Sequence, residues 1–494
     1  MANLDWEGKK VSEKNKLGLE NIKPFHTLDV YPSSDYGHLE KDLWYNLLIW
    51  GENEAILNSI MPKFEKQVSL IYIDPPFATG GDFNFKIQIG EHGKSIDKVA
   101  YKDKWEKGLD SYLEFLYNRL VKMRQLLKPN GSIYVHLDWH ISHYIKLILD
   151  EIFGIDNFRN EIIWAYPAAS VKTRRFFIRS YDTILFYSNS DDYIFNDDPN
   201  IYMEYSNRVK NALKKDEEGI FYYRGGSHNG KKLSRKVYVQ QEGIFPRDVW
   251  NDIPYIRANT KEYQGFSTQK PERLLRRIIL ASTNENDIIA DFFCGSGTTL
   301  AVAEKLRRRW IGTDINKHTI HMSRKRILNI GESNNILKWK ENYNRKPHSF
   351  RVLSLSKEDN TEFISKDFLK KGIQIEPVYT SQNLPELRID LQQNNKTVIV
   401  ELLDYNLPYQ KLISREIRDK IISFSDFIDY WAIDYDFEDN LFNNMWFSFR
   451  SGKERELKLK STPYNYEQNG LYNLSIKLID IFGTVTQNSY TINI

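Results

Sequence analysis

The sequence predicts an α/β fold in which a mostly parallel, twisted sheet flanked by helices carries an inserted region and a β-rich C-terminal domain. Three observations predict it. Short apolar runs suited to buried strands alternate with segments of helical periodicity, the alternation stops near Asn189 and resumes near Thr268, and two strand-like runs end abruptly in proline or glycine turns. A chain of 494 residues with 41% hydrophobic and 27% charged side chains can bury a sizeable core, which argues against a disordered scaffold. Its one cysteine excludes an internal disulfide framework and a cysteine zinc cluster. No run of about 20 apolar residues is present to span a bilayer, and the opening MANLDWEGKKVSEKNK lacks the apolar core of a signal peptide. A soluble, cytoplasmic chain with no membrane partner is expected.

Residues 1–40 hold few apolar clusters and read as an arm beside the first domain. From Leu43, LWYNLLIW gives a strand, Gly51 a turn, and the following residues a helix. VSLIYI then gives a buried strand stopped by Pro75 and Pro76. The polar, glycine-rich stretch 80–107 reads as a long mobile loop able to close over a substrate. A helix from about Asp110 to Leu127 is closed by a turn at Lys128–Gly131 that feeds the strand SIYVHLD. ISHYIKLILDEIF is helical, and NEIIWAY and DTILFYS are strand-like. After the interruption come the helix PERLLRRIILAS, the strand DIIADFF, a glycine turn, the helix TTLAVAEKLRRR and the strand WIGTDI. Beyond Phe350 short strands and turns follow. The plan is an arm (1–40), a first α/β half (41–188), an insertion (189–264), a second α/β half (265–350) and a β-rich domain (351–494).

Charge is uneven along this plan. Residues 1–160 carry 20 basic and 23 acidic side chains, residues 161–350 carry 32 and 22, and residues 351–494 carry 17 and 21, so the overall +3 conceals a basic middle. A phosphate-backbone partner requires such a surface, although many basic faces are simply solvated.

Two motifs carry chemistry. The first runs from Asp291 through Phe292, Phe293, Cys294, Gly295, Ser296, Gly297, Thr298 and Thr299, between a strand and a helix. Glycines there let the backbone approach a ligand, and Asp314 ends the next strand 19 residues after Gly295, where an acid can bind ribose hydroxyls. No lysine follows the second glycine, as a phosphate loop needs, and Leu300 stands where the dinucleotide fingerprint has its third glycine. The second motif is Asp74, Pro75, Pro76 and Phe77, directly after LIYI. Two prolines fix a small turn that holds an acid beside an aromatic ring. The carboxylate and a proline carbonyl can each accept one hydrogen of an exocyclic amine while Phe77 stacks on the ring face. Such amines are poor nucleophiles because the lone pair is delocalised; two acceptors pull nitrogen toward tetrahedral geometry and expose it. The plain alternative for the first motif alone is an ordinary tight strand-to-helix turn, and for the second a rigid edge turn.

Together, in this order, the two motifs resemble those of the S-adenosylmethionine-dependent amino-methyltransferases that act on DNA. The order DPPF, variable segment, TQKP, DFFCGSGTT is similar to their circularly permuted β class, particularly type III modification subunits and standalone relatives, from about Asn46 to Lys325. The resemblance implies a Rossmann-like class I methyltransferase fold in permuted order. It also implies S-adenosylmethionine as cofactor and double-stranded DNA as partner. Asp74, Pro75, Pro76 and Phe77 match the family's catalytic tetrapeptide. Asp291, Phe292, Gly295, Ser296, Gly297 and Thr298 match its cofactor loop, and Asp314 its ribose-binding acid. Thr268, Gln269, Lys270 and Pro271 match the segment that lies against the cofactor's methionine end. Gly51, Glu52 and Asn53 resemble a Gly-Asp-Asn segment whose acid reaches the adenine, with Glu in place of Asp. Phe77 replaces the more frequent Tyr, which keeps stacking and loses a phenolic hydrogen bond.

A methylase of this kind must take its base out of the stack, so base flipping is expected, with Asp74 orienting the amine rather than acting as a strong base, and no metal. The insertion is the expected target-recognition region. Arg174, Arg175, Arg179, Arg224, Lys231, Lys232, Arg235 and Lys236 supply charge for phosphates, and Tyr222, Tyr223, His228 and Asn229 reach for base edges. Trp164 and Tyr166 are candidates to stack on the flipped base, against the commoner fate of core packing. Cys294 reads as a small residue in a tight turn before it reads as a redox sensor, and His140 and His143 as a packed or solvated pair before a metal site. The expected activity is N6-adenine methylation in restriction-modification or phage defence. N4-cytosine methylation and a catalytically inactive DNA-binding subunit are the alternatives. The acidic, aromatic C-terminal module is compatible with a restriction or defence partner subunit, with a homodimer, or with packing on the core.

Overall fold

The computed structural model describes residues 4–6, 9, 22–32, 44–103, 105, 108–167, 175–228, 231–239, 243–355, 385–452 and 454–494. The first half of the chain runs β1 (His26–Tyr31), β2 (Asn46–Trp50), α1 (Asn53–Phe64), β3 (Val68–Ile73), β4 (Asp82–Ile89), β5 (Lys94–Lys102), α2 (Leu109–Leu126), β6 (Leu127–Leu137), α3 (Ser142–Phe153), β7 (Phe158–Ala165) and β8 (Tyr181–Ser188). After it come α4 (Asn207–Asn211), β9 (Lys214–Lys215), β10 (Ile220–His228), β11 (Lys231–Tyr238) and β12 (Val249–Trp250). The second half has α5 (Glu272–Ser282), β13 (Ile288–Asp291), α6 (Thr298–Lys305), β14 (Arg309–Asp314), α7 (Lys317–Leu328) and β15 (Phe350–Ser354).

Ten of these strands form one sheet in the order β1-β15-β2-β14-β13-β3-β6-β8-β7-β12. From β15 to β6 every neighbouring pair is parallel, whereas β6 with β8, β8 with β7, and β1 with β15 are antiparallel. The sequence of β3 shows why it lies in the centre. Leu70 and Tyr72 point to one face and Ile71 and Ile73 to the other, and all are at most 2% exposed. One face packs on α1, α2 and α3 through Ile56, Leu116 and Ile148; the other packs on α5, α6 and α7 through Leu275, Leu300 and Ile320. Burying each such aliphatic side chain contributes roughly 1.5–3 kcal/mol relative to exposure.

The order has one consequence for function. β13, late in the chain, lies between β3 and β14, with Ile289 opposite Leu70 and Ala290 opposite Ile71. The turns that follow β3 and β13 therefore sit side by side at the carboxyl edge of adjacent parallel strands, where open α/β sheets bind ligands.

The structure corrects several expectations. Within the arm at 1–40, HTLDVY forms β1, an edge strand on β15, because its last three residues bury against the core. β15 itself crosses the expected boundary at residue 350 and belongs to the main sheet. The loop expected at 80–107 contains the β4–β5 hairpin. Alternating Phe85, Ile87, Ile89 and Ile96 enter a core shared with the C-terminal domain, so this segment is docked rather than free. Lys94 and Lys420 exchange bonds across that contact, each ammonium donating to a backbone carbonyl of the other strand or loop at 3.2 and 2.9 Å. The insertion folds into a three-stranded sheet, β9, β10 and β11, and returns through β12, which pairs with β7. The C-terminal region is β-rich, in sheets of three and four strands. Among the described residues no helix is long and apolar enough to cross a membrane.

Candidate active site

β3 stops where its backbone runs out of donors, at Pro75 and Pro76, and this fixes Asp74 at the strand's carboxyl end. Lys270 Nζ donates to Asp74 Oδ2 at 2.6 Å. Oδ1 of the same carboxylate is buried and has no hydrogen-bond partner. Just past Phe77 the chain turns through Ala78 at φ 55°, a left-handed conformation. Asp103, fully buried, holds that turn by accepting from the Ala78 and Thr79 backbone N–H groups at 3.0 and 2.7 Å and from Trp105 Nε1 at 3.0 Å. Behind the turn lies a buried chain of polar groups. Tyr72 Oη pairs with His136 Nδ1 at 2.8 Å, His136 Nε2 with Asp182 Oδ2 at 3.1 Å, and Tyr166 Oη donates to Asp182 Oδ1 at 2.9 Å. The Phe77 ring stacks on His136 with centroids 6.3 Å apart.

β13 delivers Asp291, whose carboxylate accepts from Thr299 Oγ1 at 2.5 Å and from the Phe293 N–H at 3.0 Å. Burial, reinforced by the charges of Asp74 and Asp314, pushes the Asp291 carboxyl up to about 7. The turn then needs glycine. Gly297 has φ +73°, and a Cβ on it would sit 2.7 Å from Ser323 Oγ, while a Cβ on Gly295 would meet the Phe266 ring at 3.4 Å. The Gly295 N–H donates to Asp314 Oδ2 at 3.0 Å and the Asn316 N–H to Oδ1 at 2.9 Å, which anchors the end of β14 to the glycine turn. Arg326 braces the turn from outside by donating to the Ser296 carbonyl at 3.2 Å and to Thr298 Oγ1 at 2.9 Å. Buried Glu272 in turn accepts from Arg326 at 2.9 Å and from Lys305 at 2.5 Å. Burial, and then the charges of Asp314 and Asp291, push the Cys294 thiol well up, so it is protonated and packed, unlike a reactive thiolate.

Both turns face one cavity of about 240 Å³. Of the residues expected at the site, Asp74, Pro76, Thr268, Lys270, Asp291, Phe292, Gly295, Ser296, Thr298, Asp314 and Glu52 line it. Pro75, Pro271 and Gly297 are buried and do not line it, and half-buried Phe77 lies beyond its rim next to Pro76. Lys270 Nζ stands 5.4 Å from the Phe77 ring centre, so the TQKP segment reaches the DPPF turn as well as the glycine turn. Glu52 caps α1, accepting from the Glu54 and Ala55 N–H groups at 3.0 and 2.9 Å, and pairs with buried Arg119. Burial would raise its carboxyl, but Arg119 and the two N–H groups outweigh burial and hold it below the usual range. Arg119, Phe115 and Phe266 also line the cavity and were not legible as site residues. A larger space of about 440 Å³ lies between the β4–β5 hairpin, α7 and the C-terminal domain, and includes neither Asp74 nor Gly295.

The expected DNA contacts are spread more widely. Arg224 and Arg235 are cross-strand partners on the β10–β11 hairpin and both are exposed. Lys236 Nζ is held by Asp216 at 2.7 Å. Lys231 and Lys232 open β11, and Tyr222, Tyr223 and His228 lie in β10. Arg175 is exposed, and the Arg179 guanidinium lies 3.7 Å over the Trp139 ring. Arg174 and Asn229 lie outside the described residues. Trp164 takes the commoner of the two expected fates, core packing: it is 3% exposed and donates through Nε1 to the Ile253 carbonyl, and Tyr166 is tied to Asp182. His140 pairs with Asp138, and His143 is exposed. Among the described residues no group of three His, Cys, Asp or Glu is placed to hold a metal ion.

The profile of the DNA methylase family of N6/N4 methyltransferases matches residues 68–325. The chain is 31% identical over 324 residues to the type II methyltransferase M.EcaI of Enterobacter cloacae, covering 57% of this chain and 69% of that protein. It is 32% identical over 281 residues to the DNA adenine methyltransferase YhdJ of Escherichia coli K12, covering 57% of this chain and 82% of that protein. A solved structure of M1.HpyAVI with S-adenosylmethionine aligns over 57% of this chain and 98% of its own, at 18% identity and a TM-score of 0.35. With the profile spanning more than half of its length and both turns inside the matched segment, the chain belongs to the N6/N4 family of DNA methylases.

Proposed function

We propose that this DNA methylase transfers the methyl group of S-adenosylmethionine to the exocyclic N6 of an adenine flipped out of double-stranded DNA, in restriction-modification or phage defence. The observation that carries the reading is the cavity shared by the Asp74 carboxylate and the Gly295 turn. Its residues suit such a cofactor. The bare backbone at Gly295 leaves room for close approach, and the Asp314 carboxylate, which lines the cavity at the end of β14, would accept from ribose hydroxyls. The bound cofactor supplies an electrophilic methyl on sulfonium sulfur. Everything else falls to the chain. Lys270 fixes one oxygen of Asp74 and leaves buried Oδ1 free to accept an amine hydrogen, which a Pro75 or Pro76 carbonyl complements. Phe77 offers its ring for stacking, and the buried Tyr72–His136–Asp182 chain stiffens the turn beneath it. The adenine choice is supported by the relationship to an adenine methyltransferase, since an acceptor clamp alone serves either amine. The exposed Arg224 and Arg235 would meet phosphates beside the recognition site.

Long-read sequencing of DNA from a methylation-free host expressing the chain tests the reading. N6-methyladenine in one short sequence context is expected. N4-methylcytosine would move the substrate to cytosine, and unmodified DNA would favour a DNA-binding subunit without turnover.

A further inference from the structure

The connection from β7 to β8 carries an apolar, basic stretch: Arg175, Phe176, Phe177, Ile178 and Arg179. Exposure there is unusual. Phe177 is 97% exposed, Phe176 57% and Ile178 41%. An aromatic ring left in water forfeits the burial that would favour it elsewhere in the chain, so it marks a surface that meets a partner. Its place in the fold identifies the partner. β7 and β8 meet at this end through Ala165 opposite Tyr181, and β8 runs antiparallel to β6 with Thr183 opposite Leu137. β6 is parallel to β3, so the stretch projects from the carboxyl edge of the sheet, the edge that holds Asp74. The Arg179–Trp139 stack ties its base to the residues just after β6. Asp182, three residues further on, belongs to the polar chain that reaches Tyr72 in the cavity wall.

We infer that Phe177 is the wedge that enters the base stack at the target pair, with Arg175 and Arg179 on the phosphates to either side. This rests on the reading above, that the enzyme extrudes its target base. The chemistry suits duplex DNA: an apolar ring flanked by cations can replace one base-stacking face while the cations hold the backbone. The ring then occupies the space the base leaves, and the extruded base moves toward Asp74.

The test uses the full-length enzyme and a synthetic duplex bearing the sequence that long-read sequencing identifies, with 2-aminopurine beside the target base to report unstacking. Because Phe177 is so exposed, Phe177→Ala leaves the fold and the cofactor site untouched. Phe177→Ala is expected to lose about tenfold or more in methylation rate on the matched duplex and to lose the fluorescence rise. On the same duplex with an abasic site opposite the target, where the base is already loosened, its rate should return to near that of the wild type. Phe177→Trp should restore both signals. Equal activity of Phe177→Ala and wild type on the matched duplex, or an equal loss on both duplexes, overturns the wedge. Wild-type enzyme that methylates neither duplex overturns the underlying reading instead, so the two failures are distinct.

Discussion

Replacing Asp74 with alanine is expected to lower methyl transfer by about 10²- to 10³-fold or more, the loss typical when one preorganised hydrogen-bond partner of a transition state is removed. Cofactor affinity should stay within a few-fold of wild type, because Gly295, Asp314 and the segment around Thr268 remain in place. The substitution also strands the Lys270 ammonium, which is 10% exposed, so some stability is lost. Asp74→Asn separates the two effects. Its one carbonyl oxygen can still accept from Lys270, which turns an NH2 donor instead of an acceptor toward the amine, so it should be more stable than the alanine variant while still transferring slowly. Steady-state rates, cofactor calorimetry and thermal melts on the three proteins check this. Near-normal methylation by Asp74→Ala would remove Asp74 from the mechanism.

The second large effect lies outside the cavity. Glu272→Ala is expected to cost about 3 kcal/mol of stability, at the lower end of the 3–5 kcal/mol typical of breaking a buried ion pair. Glu272 is 3% exposed and joins Lys305 to Arg326, and burial, which alone would raise its carboxyl, is outweighed by those two cations. Removing it leaves two buried cations without their shared anion. The cost falls at the low end because Glu262 is 4.0 Å from Arg326 and can take over part of the pairing. Burial and the Glu272 charge now hold the Glu262 carboxyl up to about 7, so loss of Glu272 would let it ionise more readily. Arg326 also braces Ser296 and Thr298, so cofactor binding should weaken alongside stability. Urea unfolding and calorimetry test the pair of effects; an unchanged denaturation midpoint would show that the cluster carries no stability.

Much of the candidate site was legible because the residues that meet at the cavity are largely contiguous in the sequence. DPPF announces itself through two prolines after an apolar strand, and DFFCGSGTT through glycines that must take positive φ. The β-rich character of the C-terminal region could be read from its short strands and turns. Long-range partners were not legible. The bond between Lys270 and Asp74 spans 196 positions and Arg119 meets Glu52 across 67, and nothing local in either segment marks the other. The hairpin at 82–102 was hidden by polar and glycine-rich text. Its alternation of Phe85, Ile87 and Ile89 becomes meaningful only with the C-terminal domain present to cover that face. Strand β1 was missed for the same reason, as six residues of HTLDVY become a strand only because β15 offers an edge. Trp164 had the composition of a stacking platform, and its neighbours in the core decided otherwise.

The proposed function requires the cofactor and the amine-gripping carboxylate to share one cavity between β3 and β13. A crystal structure of the enzyme with S-adenosylmethionine tests it most directly. The expected result is the ribose on Asp314 and the sulfonium methyl directed along the cavity toward Asp74 Oδ1. A cofactor seated instead in the larger space beside α7, or one whose methyl points away from a walled-off Asp74, would contradict it.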